Sequence, residues 1–325
     1  MTTTTETPAP PRNRAPFPVH RHAALIALIA LILFNVFTTP RFLTLATLNI
    51  NLTQTATVVI VGIGMTFVIA TRGIDLSVGS LMAISGAIAP LLFLNPTLGP
   101  NIGTVLAFVL PIAATGLLGA FNGLLVTRFA VQPIIATLVL FIAGRGVAQV
   151  ISGGQLVNFT QSGFTALGSA KLLGIGAQVF IMLALLAVAV FVLARTLFGR
   201  QVIAVGGNPE AARLSGVPVN RTRMLVYVIS GLLAGLAGLI TIAINSSSDS
   251  NLVGQNIELD AIAAVAVGGT ALNGGRVTMI GTLLGALFIQ LLRYTLLVKG
   301  VPDAAATVIK AAVIIGAVAL QYRRR

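Results

Sequence analysis

Cysteine is absent from the 325-residue chain, which excludes disulfide staples, thiol catalysis and cysteine-ligated metal. Histidine is nearly so: His20 and His22 are the two, both close to the N-terminus. No His-based metal site can therefore form within the apolar body, and zinc chemistry is effectively excluded. Acidic residues number seven, Glu6, Asp75, Glu210, Asp249, Glu258, Asp260 and Asp303, and none falls in the middle of a predicted apolar stretch. Proton- or sodium-coupled carriers commonly need an ionisable relay near the bilayer midplane, so this scarcity counts against secondary transport. The chain also lacks Gly-Lys-Ser and Gly-Lys-Thr. Without a Walker A loop to cradle phosphates, any ATP is hydrolysed by another polypeptide.

Charge as a whole is sparse, 8% of residues against about a quarter in an ordinary soluble domain. Apolar residues fill the difference: 56% are hydrophobic and the mean hydropathy is +1.00. The composition predicts an all-α, polytopic membrane protein. A hydrocarbon core of ~30 Å needs roughly 20 helical residues to cross, so the length accommodates about ten spans. The net charge of +13 reads as topology rather than nucleic-acid binding, because cytoplasmic loops collect Lys and Arg.

Residues 1–22 are Thr-, Pro- and Arg-rich without an apolar period, and are expected to be a disordered cytoplasmic tail. Ala23 to Phe37 follows Arg12, Arg14 and Arg21. No small-x-small cleavage site succeeds it, so an uncleaved first span is preferred over a signal peptide. Further apolar stretches fall at about 49–71, 79–94, 102–127, 131–151, 175–198, 223–244, 258–270, 276–298 and 304–321. Residues 23–321 thus form one membrane domain of about ten crossings, with N- and C-termini on the same, cytoplasmic side. In this arrangement only Arg41, Lys171 and Lys299 lie outside, while the basic end 322–325 and most other Lys and Arg lie inside.

Two regions are too short or too rich in glycine for plain spans. One is Thr71-Arg72-Gly73-Ile74-Asp75-Leu76-Ser77-Val78-Gly79-Ser80; the other runs from Glu258 through Asp260 to Gly268-Gly269-Thr270-Ala271-Leu272-Asn273-Gly274-Gly275. Both are expected to be broken or re-entrant helices, which are tolerated only where protein or a water-filled cavity satisfies the freed backbone. One interruption in each half hints at an internal repeat.

The longest inside loop, 199–222, contains Gly206-Gly207-Asn208-Pro209-Glu210-Ala211-Ala212-Arg213-Leu214-Ser215-Gly216. Asn208 suits an N-cap, Pro209 the first helical position, Glu210 the positive helix end and Gly216 the stop. A short capped helix of this kind is marginal alone, which points to a partner; a plain surface loop joining two spans is the alternative. Inside the spans, Asn51, Thr53, Gln54, Asn122, Arg145, Gln149, Asn245, Gln290 and Arg293 are candidates to line a pathway. Neutral amides suit a polyol, although each amide also suits an interhelical hydrogen bond, and Arg145 and Arg293 also suit snorkelling to an interface.

These motifs carry a resemblance. Met65-Thr66-Phe67-Val68-Ile69-Ala70 before Gly73-Ile74-Asp75-Leu76-Ser77-Val78-Gly79-Ser80, then Gly206-Gly207-Asn208, Ala211-Ala212 and Ser215-Gly216-Val217, then Glu258-Leu259-Asp260-Ala261-Ile262-Ala263 with Gly268-Gly269-Thr270, closely resemble the ribose-type family of ABC sugar-importer permeases over about residues 45–320. Within that family Ala136-Thr137-Leu138, Ala143-Gly144-Arg145-Gly146-Val147-Ala148-Gln149 and Ser248-Asp249-Ser250-Asn251 look most like the galactofuranose-type permeases. The resemblance implies a multi-pass permease of the bacterial plasma (inner) membrane, with no enzyme activity and no cofactor of its own. It further implies a second permease subunit in a homo- or heterodimer, ABC ATPase subunits that use ATP and Mg, a periplasmic or lipoprotein sugar-binding protein, membrane lipid around it and no nucleic acid. It casts residues 206–217 as the helix that docks on the ATPase. Alternative readings are a stand-alone facilitator or secondary carrier, an intramembrane enzyme and a purely structural scaffold. The loop 152–174 carries no assignable match.

Overall fold

A computed structural model describes residues 23–322; the predicted tail 1–22 and the arginines 323–325 lie outside the described residues. The described chain forms thirteen helices: α1 (Ala23–Thr38), α2 (Leu45–Ala70), α3 (Val78–Phe93), α4 (Gly99–Thr127), α5 (Pro133–Ser152), α6 (Ser162–Ser169), α7 (Ala177–Arg195), α8 (Leu197–Gly207), α9 (Pro209–Leu214), α10 (Val219–Asn245), α11 (Ile257–Val267), α12 (Met279–Val298) and α13 (Asp303–Tyr322). Each of the ten apolar stretches corresponds to one helix. Six of them, α2, α4, α5, α7, α10 and α12, are long and apolar enough to cross a membrane; α1 and α3 are shorter apolar helices. Among the described residues the strands are β1 (Val157–Asn158), β2 (Lys171–Leu172), β3 (Ile175–Gly176) and β4 (Ser247–Ser248). They form two antiparallel ribbons, β1 with β4 and β2 with β3.

Helix α2 is the axis of the domain. Its apolar window is 78% buried, against 28% for α4, α5 and α7, so those three present most of their surface outward while α2 is enclosed by protein. The tightest pairing is α4 on α10. A Cβ at Gly119 would lie 2.4 Å from the Tyr227 carbonyl oxygen, and one at Gly231 would lie 2.3 Å from that of Thr115. Small residues here let two backbones touch, which replaces the hydrophobic driving force that lipid cannot supply.

The unassigned loop 152–174 is folded, a departure from its blank reading. Phe159 and Phe164 pack with Phe93 and Phe108 at ring-centroid separations of 4.8–5.7 Å, worth roughly 0.5–1.5 kcal/mol per pair beyond burial. They hold α6 over the C-terminal end of α10, where a Cβ at Gly168 would lie 2.3 Å from the Ala243 carbonyl carbon.

Candidate functional site

The capped helix forms as its residues dictate. The Asn208 side-chain oxygen accepts from the Glu210 and Ala211 amides at 3.0 and 3.1 Å, satisfying two of the orphan donors of α9. Gly216 adopts φ +79° beyond its end. Ala212 packs with Val205 and Val219 in a small separate core, while Glu210 and Arg213 pair at 3.3 Å on the exposed face. The capping signals specify this one helix; the structure adds α8 directly before it, so residues 197–214 form a helix–corner–helix unit with Asn208 at the corner.

That corner is the meeting point of three distant segments. Arg72, at φ +68° in the turn after α2, donates from Nε to the Gly206 carbonyl at 2.7 Å and from a terminal nitrogen to the Gly207 carbonyl. Its guanidinium thus caps the C-terminal carbonyls of α8, where a cation is favoured. The Gly275 amide donates to the Ala70 carbonyl at 3.1 Å, tying the second glycine-rich turn to the first. A Cβ on Gly206 would sit 1.8 Å from the Ala70 oxygen and 2.4 Å from the Gly275 nitrogen. The α8–α9 corner therefore touches both broken-helix turns at once.

One level deeper, Asp75 is completely buried. Its Oδ1 accepts from the Ser77 amide at 3.0 Å and the Ser77 hydroxyl at 2.6 Å, and its Oδ2 from the Ser230 hydroxyl at 2.7 Å. Asn122 Nδ2 donates to the Ser77 oxygen at 2.8 Å. This is a carboxylate held by three donors from two elements, with α4 bracing it. A buried charge is tolerable only with such partners. Its role is to fold the turn 71–77 and start α3, and Gly73 leaves room for the Tyr227 hydroxyl, which a Cβ would approach to 2.6 Å.

The second broken helix is interrupted at both ends. Below α11, Gly268 lies against Gly281, and the Thr278 hydroxyl donates to the Gly268 carbonyl at 2.8 Å while Gly269 takes φ +86°. Above it, Glu258 is buried beside Gly79, whose Cβ would lie 2.5 Å from its Oε2 and 2.3 Å from the Gly254 carbonyl oxygen. Arg145 of α5 donates to the carbonyls of Ser250, Asn251 and Val253 at 2.9, 3.4 and 2.6 Å, and Gln149 to the Asn251 side chain at 2.7 Å. The half-buried Asp260 pairs with Lys310, which lies two turns into α13. No acid lies in the middle of an apolar stretch, yet this pairing brings Asp260 against the interior of another helix.

The predicted pathway residues do not form one lining. Asn122 is fully buried in the Asp75 network, and Arg145 clamps backbone. Asn51 bonds to the Thr47 carbonyl and borders a largely apolar cavity of about 300 Å³ between α1, α2 and α12. Thr53 accepts from Gln178 of α7 at 3.0 Å. Gln54 and Asn245 are exposed on separate helices, Gln290 is half-buried on α12, and Arg293 pairs with Asp303 at 3.1 Å. The roles of Arg72, Ser230, Gly274 and Gly275 emerge only from the structure. The first and the glycine pair stand inside quoted motifs, but nothing local says that they share a partner.

The chain matches the family described as branched-chain amino acid transport system / permease component over residues 47–318. It is 40% identical to the ribose import permease protein RbsC of Escherichia coli (strain K12) over 93% of this chain and 94% of that one. It is 41% identical to the galactofuranose transporter permease protein YtfT of the same strain, over 84% and 79%, and 33% identical to the L-arabinose ABC transporter permease protein AraH of Azospirillum brasilense, over 92% and 87%. No solved structure gives a significant match. With a family match across most of its length and relatives at this level of identity, the chain belongs to the branched-chain amino acid transport system / permease component family, and is a multi-pass transport subunit rather than an enzyme.

Proposed function

We propose that this chain is the membrane permease of an ATP-driven importer of a monosaccharide, galactofuranose or a pentose, in a bacterial plasma membrane. The relatives named for ribose, galactofuranose and L-arabinose support the substrate class. It works beside a second permease subunit, a pair of ATPase subunits and an external sugar-binding protein. In this reading the chain crosses about ten times, some helices being broken, with residues 199–222 and both termini on the cytoplasmic side, in keeping with the bias of Lys and Arg toward that side.

The observation that carries the mechanism is the three-way joint. Helix α9 is the docking element for the ATPase, with Glu210 and Arg213 exposed for it. A push on α9 passes through the Asn208 corner to Gly206 and Gly207, and from there to Ala70 and Arg72 on one side and Gly275 on the other. Both broken helices receive the displacement together because Gly206 meets the Ala70 and Gly275 backbones directly, with the Arg72 guanidinium as a second tie, and close-packed backbones pass small shifts on to their neighbours. Opening and closing of the pathway by alternating access follows, with no covalent chemistry in this subunit.

The test is sugar uptake into proteoliposomes containing the permease with its candidate ATPase, sister permease and binding protein, with and without ATP. Accumulation that needs ATP and every subunit is expected. Equilibration by this chain alone overturns the reading in favour of a facilitator.

A further inference from the structure

The segment between β4 and α11 descends into the membrane domain, and its depth follows from what it touches. The Ser248 hydroxyl meets the Gly86 carbonyl of α3 at 2.8 Å, a level at which Gly86 also faces Ile242 near the end of α10. Ser250 bonds to the Ala148 carbonyl and the Ser152 hydroxyl of α5, Val253 to Arg145, and Gly254 abuts Gly79. From Gly86 down to Gly79 is two helical turns. At 1.5 Å per residue Gly254 lies ~15 Å below the end of α10 and ~21 Å below that of α3, near the middle of a ~30 Å hydrocarbon core.

At that depth the segment has two faces. Ser250, Val253, Gly254, Ile257 and Glu258 are buried, whereas Asn251, Leu252, Gln255, Asn256 and Leu259 are exposed. The backbone coils in successive turns, Val253 and Leu252 amides to the Asp249 carbonyl and the Gln255 amide to that of Leu252, so the exposed set lies on one side. Irregular backbone carrying exposed side-chain amides is not stable against acyl chains, and occurs at membrane depth only where it is covered by protein or lines a water-filled cavity. Arg145 holds it there by binding three of its carbonyls, at the cost of burying much of a guanidinium. Asn256, at φ +60°, turns the chain from this coil into α11.

We infer that Asn251, Gln255 and Asn256, with Gln149 bonded to Asn251, form the sugar-contacting wall of the translocation pathway, opening toward the second permease subunit. This rests on the monosaccharide-importer reading. The four amides supply donors and acceptors for ring hydroxyls, Asn251 being anchored by Gln149 and by its own bond to Asp249 at 3.1 Å, and Leu252 and Leu259 on the same face supply apolar surface for a sugar's C–H face. The wall stands directly above α11, whose lower end runs into the glycine joint. Movement of that joint therefore shifts the contacting groups, linking ATP-driven displacement to release.

The absence of cysteine makes the test direct. Gln255→Cys and, as a control on the outward face of α4, Leu117→Cys are placed singly in the reconstituted transporter and treated with a charged, lipid-insoluble thiol reagent. Leu117 is 72% exposed and expected to meet lipid. Reaction at 255 at least tenfold faster than at 117, slowed by millimolar D-ribose, L-arabinose or D-galactose according to which the wild type transports, is expected. Gln255→Ala is expected to raise the KM for that sugar about tenfold with little change in maximal rate, the loss of one or two hydrogen bonds. Equal, slow reaction at both positions overturns the wall by showing that face sealed. Fast reaction at 255 that the transported sugar leaves unchanged also overturns it, since the wall is then wet but not in contact. A wild-type complex that moves no sugar defeats the substrate class, and is distinguishable because the reactivity contrast is read without transport.

Discussion

Gly206→Ala is the sharpest perturbation of the joint. A methyl at 1.8 Å from the Ala70 oxygen and 2.4 Å from the Gly275 nitrogen cannot be absorbed by a rotamer change, since both neighbours are backbone. Ordinary contact begins at 3.4 Å, so α2's last carbonyl and the second turn must move apart by more than an ångström. Overpacking of this kind costs about 1–3 kcal/mol, and parting Gly275 from Ala70 removes a hydrogen bond worth about 0.5–1.5 kcal/mol. The sum, about 2–4 kcal/mol, corresponds to a fall of about 5–15 °C in apparent melting temperature at ~2–4 °C per kcal/mol. Gly207→Ala is the matched control, because a Cβ there meets nothing within 4 Å. Melting of the detergent-purified permease reads the stability, and sugar moved per ATP hydrolysed in the reconstituted complex reads the coupling. A Gly206→Ala protein that melts with the wild type, or a Gly207→Ala protein equally destabilised, refutes the joint as described.

Asp75→Ala strands the Ser77 and Ser230 donors in a fully buried site and is expected to cost about 2–4 kcal/mol, whereas Asp75→Asn keeps one acceptor and costs less; equal melting temperatures for the two variants would count against the network. For the Asp260–Lys310 pair, whose side chains are 15% and 12% exposed, Lys310→Met alone leaves an unpaired half-buried carboxylate and is expected to lose about 3 kcal/mol or more. Adding Asp260→Leu is expected to recover most of it, so a double variant as unstable as the sum of the singles speaks against a mutually compensating pair. Glu210→Ala removes an exposed pair worth under about 1 kcal/mol. Its melting temperature should hardly move while stimulation of the partner ATPase falls severalfold, and unchanged stimulation removes Glu210 from the docking face.

Local signals in this chain were enough for the parts that short-range physics controls. Hydropathy over about 20 residues marked all ten apolar helices to within a few positions, and Asn208-Pro209-Glu210 with Gly216 wrote α9 from its caps alone. Helix α8 escaped notice because its N-cap, Thr196, whose hydroxyl accepts from the Gly199 amide at 3.2 Å, lies inside the apolar stretch 175–198, and Leu197–Gly207 carries no long apolar run of its own. The candidate pathway was the least legible part. Counting amides inside spans gathered residues that the packing sends to different helices, and placed Asn122 in a lining when its work is to brace Ser77. The exposed Asn251, Gln255 and Asn256 stood in what read as an outer loop.

By itself the sequence determined that this protein spans a membrane, that it breaks two of its helices at glycine-rich turns and that it sets a short capped helix between Arg195 and Arg223. Only the tertiary structure decided that the two glycine-rich turns and the capped helix share one joint, and that the segment before α11 packs against Arg145 of α5 and Gly79 of α3. The bonds responsible join Arg72 to residues 134 and 135 positions away and Arg145 to residues 105 to 108 positions away. Propensity, capping and hydropathy act over a few turns of chain, whereas which carbonyl a guanidinium meets, and which glycines touch, is set by the packing of whole helices around α2.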